Sequence, residues 1–190
     1  MKSGARTLGI AESYHSEVST LCGAVVTTDG ALDGCGFTQC SVGGTDSTDS
    51  ILELWSDVGR PDIQAVLLNG VALAWYNIVD LLRVSEAIPV PVIAITYEES
   101  DGLRDAIAAA FNGAEANRRL DLYESLPPRR EIIVNDESLF IRVVGDGETA
   151  EELVRAVTPA GGRPEPVRVA RILARAADRY CRSTGRKPES

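Results

Sequence analysis

Two four-residue runs, Ala65-Val66-Leu67-Leu68 and Val92-Ile93-Ala94-Ile95, are apolar at every position. Strands of that kind have no solvent face, so each needs cover on both sides. An amphipathic segment separates them, which makes the connection a crossover and the pair parallel. The rest of the chain falls in around this pair. Thr7 to Ala11 reads as a first strand, and Leu21 to Val26 with Leu32 to Val42 as a hairpin turning at Asp29-Gly30. Thr45-Asp46-Ser47 caps a helix carrying Ile51, Leu54, Trp55 and Val58 at helical spacing. After Asn69-Gly70, a second amphipathic helix is expected with Val71, Trp75, Ile78, Val79 and Leu82 on one face. Both tryptophans are expected in the core. Helices near 101–111 and 114–125 precede the Pro127-Pro128 stop, a hairpin turns at Asn135-Asp136, and helices near 148–157 and 166–182 follow.

The expected architecture is α/β: a mixed five-stranded sheet with flanking helices and an extra C-terminal hairpin near 131–144. The 190 residues form one domain, with 183–190 frayed. No apolar run approaches the roughly 18 residues of a membrane-spanning helix, and Met1 to Arg6 has no signal-peptide architecture. The expectation is a soluble cytoplasmic protein. In sheets of this order, functional groups gather at the carboxyl ends of the strands. Two places qualify, Ala11-Glu12-Ser13 and Asn69-Gly70.

Charge and rare residues narrow the chemistry. Acidic residues outnumber basic ones 28 to 19, and the only lysines are Lys2 and Lys187. An acidic, lysine-poor surface suits concentrated salt and suggests a halophile; the alternative is an ordinary acidic cytosolic protein of a GC-rich genome. The last helix runs the other way: residues 163–187 hold eight basic and two acidic side chains. Cys22, Cys35, Cys40 and Cys181 form no CxxC pair and His15 is the single histidine, so a tetrahedral zinc site of the usual spacing is not available and a histidine-centred triad has His15 as its one candidate. His15 reads as a surface residue. Neither glycine-rich phosphate-loop signature is present. Gly43, Gly44 and Gly70 could admit a nucleic-acid backbone, and tight turns explain them equally well.

Several segments together carry a family resemblance. They are Leu8-Gly9-Ile10-Ala11-Glu12-Ser13, Val42-Gly43-Gly44-Thr45-Asp46-Ser47-Thr48-Asp49, Val66-Leu67-Leu68-Asn69-Gly70-Val71, Trp75-Tyr76-Asn77-Ile78-Val79-Asp80 and Arg163-Pro164-Glu165-Pro166-Val167-Arg168. From residue 6 to about 180, the chain resembles an archaeal family that is similar to endonuclease V and acts on deaminated, deoxyuridine-containing DNA. The arginine-proline-glutamate-proline segment is the most specific part. The resemblance implies a ribonuclease H-like fold and a phosphodiester hydrolysed with Mg²⁺ or Mn²⁺ held by strand-end carboxylates.

Against that pattern this chain has Ala11 and Asn69 where the family has aspartates, and Asp49 where it has a glutamate. The resemblance leaves Glu12, Asp49 and Asn69 at the catalytic positions of a degenerate site. A rearranged metal set drawn from Glu12, Asp46, Asp49 and Asp80 is one possibility. The other is that Asp46 only caps its helix and Asp80 is a solvated helix residue. Two functions follow: a metal-dependent endonuclease on deoxyuridine- or inosine-containing DNA, or a catalytically silent module that binds nucleic acid or a protein. Arg163, Arg168 and Arg171 are the candidate phosphate contacts. They open a stripe that continues through Arg175, Arg179, Arg182 and Arg186 at intervals of three or four. A solvated helix face explains the stripe as well.

Overall fold

The computed structural model describes residues 4–184. In chain order the elements are β1 (Arg6–His15), β2 (Val18–Thr27), β3 (Leu32–Ser41), α1 (Ser47–Val58), β4 (Ile63–Leu68), β5 (Ala72–Leu73), β6 (Asn77–Ile78), α2 (Leu81–Ala87), β7 (Val92–Thr96), α3 (Arg104–Ala110), α4 (Gly113–Ser125), β8 (Arg130–Val134), β9 (Glu137–Val143), α5 (Gly147–Ala156) and α6 (Glu165–Thr184). The main sheet has the order β3-β2-β1-β4-β7-β9-β8. β1, β4 and β7 are mutually parallel at its centre, and the other four strands run antiparallel to their neighbours. The expected mixed α/β sheet is present. The C-terminal hairpin is no appendage, however, because β9 pairs with β7 and makes the sheet seven-stranded. Its turn takes both Asn135 and Asp136 to positive φ, the conformation a two-residue hairpin favours.

Alternation along β1 decides which layer each side chain joins. Leu8 and Ile10 face the large core beneath α1 to α4, with Leu54, Val66, Leu68 and Leu81. Gly9 and Ala11 face α6 instead: Ala11 is fully buried with Ala24, Val26 and Ala170. A third cluster, around Leu67, Ile93, Ile95, Leu139 and Val154, packs α5 and the start of α6 on the same side. Residues 71–80 depart from the expected helix. Two short strands, β5 and β6, replace it, and helix begins only at Leu81, where Asp80 caps α2 by accepting from the Arg83 amide at 3.1 Å. The apolar stripe was real, since Val71, Ile78 and Val79 are buried. Tertiary hydrogen bonds to Asn77 override the helical period. Two members of the expected face end up exposed, Trp75 and Leu82.

α6 lies against β1 without a spacer. A Cβ added at Gly9 would stand 2.1 Å from the carbonyl carbon of Pro166 and 2.6 Å from the amide of Val167. Because the obstruction is backbone, no rotamer relieves it. Gly9→Ala should therefore cost about 3 kcal/mol and lower the melting temperature by roughly 10 °C, measured by thermal unfolding. A shift of a degree or less would mean that α6 slides freely on the sheet.

Candidate functional site

The carboxyl ends of β1, β4 and β7 open onto a cavity of about 610 Å³. Glu12 reaches it from the end of β1, Asn69 and Gly70 from the end of β4, Tyr97 from just beyond β7, and Arg163 and Arg171 from the α6 side. The strand ends are adjacent as expected, since the Asn69 amide donates to the Ile10 carbonyl at 2.9 Å. Trp75 and Tyr76 line it as well.

Glu12 is the carboxylate at the junction. It accepts from the Ser19 hydroxyl at 2.8 Å and from the backbone amide of Ala74. Burial raises its pKa above the ordinary glutamate value, and the nearby Asp178 adds to the rise; Ser19, Ala74 and the Arg171 charge oppose it. Arg163 stacks on the Tyr97 ring at 4.1 Å, and its Nη1 is buried without a hydrogen-bond partner. The Tyr97 hydroxyl is buried and unpartnered too, and burial pushes its pKa up to about 12 against the pull of Arg163 and Arg171.

The remaining sequence candidates lie elsewhere. Asp46 occupies the N-cap position of α1, but its side chain does not cap the helix. It accepts instead from the Ser41 amide and hydroxyl and from Asn77 Nδ2 at 2.6 Å. Burial pushes its carboxyl up, and the bonds from Asn77 and Ser41 outweigh that and leave it lowered. Asp49 is exposed and paired with Arg83 at 2.5 Å. Asp80 is the α2 cap and not a solvated helix residue. The four carboxylates are not drawn together: among the described residues no group of three or more histidine, cysteine, aspartate or glutamate side chains could hold a metal ion.

The residues at the strand ends do not fit a divalent cation. Mg²⁺ and Mn²⁺ want several oxygen ligands, most of the binding coming from carboxylates. Here Ala11 offers none and is sealed under α6, Asn69 offers a neutral oxygen, and four arginines share the lining with the two glutamates, Glu12 and Glu98.

The arginine stripe divides. Arg171 faces the cavity, whereas Arg168 is exposed and held by Glu165 through two 2.6 Å contacts. Arg182 pairs with Asp178 at 3.3 Å, Arg175 and Arg179 are exposed, and Arg186 lies outside the described residues. His15 is exposed, as expected. Gly43 and Gly44 need no nucleic acid to explain them: side chains there would collide with Trp75 and with Ser41 and Asp46. Sequence reasoning missed Tyr97 and the exposure of Trp75. The first ends an apolar strand without further signal, and the second was hidden in a helical stripe.

A central parallel β1-β4-β7 unit with the antiparallel hairpin β2-β3 on one side, β9-β8 on the other and a strand-end cavity is a ribonuclease H-like fold. The model of the endonuclease dU family matches residues 3–178, and the chain belongs to that family. A UPF0215 protein of Thermococcus kodakarensis is 30% identical over 175 residues, 90% of this chain and 87% of that one. A crystal structure of a protein of unknown function from Archaeoglobus fulgidus superposes with a TM-score of 0.78 at 27% identity, covering 90% of this chain and 96% of that one. Ciona intestinalis endonuclease V, crystallised with an inosine-containing DNA, gives a TM-score of 0.58 at 15% identity over 91% of this chain and 85% of its own. No described helix is long and apolar enough to cross a membrane.

Two outcomes follow from this geometry. Glu12 binds its proton more tightly folded than unfolded, so its contribution to stability is present below the ordinary glutamate pKa and lost as pH rises through the raised one. Glu12→Gln should then stabilise the protein at neutral pH, with the advantage shrinking as pH falls toward 4, measured by denaturant midpoints across pH. Ala11→Asp would bury a carboxylate between β1 and α6 and should cost roughly 3–5 kcal/mol. Asn69→Asp, at the cavity wall, should cost under about 1 kcal/mol. Equal losses for the two in thermal melts would place position 11 in the cavity.

Proposed function

We propose that this chain is a nucleic-acid-binding member of the endonuclease dU family that holds deaminated DNA at the strand-end cavity without divalent-metal hydrolysis. One observation carries the reading: four arginines, Arg129, Arg142, Arg163 and Arg171, line the cavity against two glutamates, Glu12 and Glu98, while the neighbouring strand-end position, Ala11, is closed by α6. Arg129 and Arg142 already donate to backbone carbonyls, which leaves Arg163 and Arg171 for a ligand. Neither Arg163 nor Arg171 forms an ion pair within 4 Å among the described residues, Arg171 acting on Glu12 only through its charge, so both keep donors for backbone phosphate. Deoxyuridine- or inosine-containing strands are the ligand class that the family suggests, and the inosine-bearing DNA of the Ciona enzyme agrees with it. The acidic, lysine-poor composition fits a cytoplasm of concentrated salt. There counterion release contributes little, and fixed arginine–phosphate geometry has to supply the affinity.

The test is binding of a labelled deoxyuridine-containing strand, followed by fluorescence anisotropy from low to high salt, with a parallel nicking assay in Mn²⁺. Expected are binding that weakens with salt, a loss of roughly tenfold for Arg163→Glu and for Arg171→Glu, and no nicking. Arg168→Glu should change affinity by less than about threefold, because that guanidinium is already committed to Glu165. Mn²⁺-dependent nicking that disappears in Glu12→Gln would overturn the binding reading in favour of the metal-dependent endonuclease.

A further inference from the structure

The left-handed segment Ala74-Trp75-Tyr76 is the most strained backbone among the described residues. Three consecutive non-glycine residues have φ of 42°, 60° and 60°. Each such residue costs on the order of 1 kcal/mol, and runs of them persist only where surroundings hold them. The holding groups are visible. The Ala74 amide donates to the Glu12 carboxylate, and its carbonyl accepts from the Gly43 amide at 2.7 Å. Arg119, 4% exposed, donates to the carbonyls of Tyr76, Gly43 and Gly44 and lies 3.8 Å over the Phe111 ring.

What this arrangement achieves is the placement of one ring. Trp75 rests against Gly43, where a Cβ would come within 2.8 Å of it, and meets Phe111 at 5.1 Å and Tyr76 at 5.8 Å. It nevertheless stays 47% exposed and lines the cavity. Burying that surface would add stability, and relaxing the backbone would add more. A strained segment that keeps a large aromatic half in solvent is spending stability on something other than packing. The cavity wall identifies what fits. The aromatic face shares the lining with the Asn69 amide and the Glu12 carboxyl, which can hydrogen-bond a heterocycle's edge, and with Arg163 and Arg171, which suit phosphate.

We propose that Trp75 is the stacking platform for one unpaired nucleobase, held at the cavity wall by the left-handed Ala74–Tyr76 segment, with Arg119 as its positioning residue. This deepens the nucleic-acid reading above and rests on it. Base stacking on an aromatic platform is sequence-tolerant and strong enough to measure.

The chain has two tryptophans, and the other, Trp55, is on α1 outside the cavity lining. Intrinsic fluorescence therefore reports Trp75 by difference. Titration with a short single-stranded oligonucleotide should quench the wild-type signal. The same strand carrying one abasic site at the bound position should bind without that quenching. The quenching should be absent in Trp75→Phe, which keeps affinity within about threefold, while Trp75→Ala loses roughly tenfold by anisotropy. Arg119→Lys should weaken the quenching more than the affinity. Equal quenching by intact and abasic strands, or wild-type affinity in Trp75→Ala, overturns the platform. If strand binding depends on Arg171 and not on Trp75, only this inference falls. If the wild-type protein binds no strand at all, the nucleic-acid reading falls with it.

Discussion

The backbone-to-backbone contact of Gly9 with Pro166 and Val167 governs much of what surrounds the site. A helix held that close to a central strand has no freedom to roll, because every neighbouring side chain must match the gap that glycine leaves. Alanines predominate in the layer: Ala11, Ala24 and Ala170 are completely buried there beside Val26. The same contact sets where α6 starts. Arg163, just before the helix, and Arg171, one and a half turns into it, then arrive at the carboxyl end of the sheet. The stacking that closes Ala11 off thus also delivers the positive charge. One layer both removes a strand-end ligand position and supplies the groups that replace its chemistry.

Around that layer the electrostatics are uneven. Glu12 is a half-buried carboxylate held by a serine hydroxyl and a backbone amide, with Asp178 raising its pKa and Arg171 lowering it. The balance of these influences favours the neutral acid more than water would. Asp46 is the opposite case: it has as much hydrogen bonding as a carboxylate can use, from Ser41 and Asn77, and is held ionised by it. One acid is a strut between β3, α1 and β6, and the other is available to a ligand. Spacing along the chain cannot separate these roles, because both are acids near the start or end of an element.

The fold was legible for a simple reason. Apolar runs such as Ala65–Leu68 and punctuation such as Asn135-Asp136 report local demands that the tertiary structure then satisfies. Residues 71–80 were not legible because their conformation is decided from outside. Asn77 bonds to Ser41, Ser47 and Asp46, more than thirty positions away in two cases, and the helical stripe loses to those bonds. The joining of β9 to β7 is a pairing decision between distant segments and leaves no mark in either. At the site, Glu12, Asn69, Arg163 and Arg171 were all identifiable from strand-end logic or family likeness. Arg168, a candidate on the same grounds, is paired with Glu165 three residues upstream, a contact that does not bring it to the cavity.

Arg119 has a consequence for how this molecule breathes. Its guanidinium belongs to α4, yet its donors end on the 43–44 turn and on the carbonyl after Trp75. Opening either the turn or the Trp75 segment would leave those carbonyls without their buried donor, while the guanidinium keeps its 3.0 Å pairing with Glu115 on α4. Losing buried hydrogen bonds costs more than opening an ordinary surface loop. The three segments therefore share one opening equilibrium, and local fraying at the aromatic wall is suppressed. A site edge that most proteins build from independently mobile loops behaves here as a single cooperative body, with its fluctuations tied to the partial unfolding of a helix.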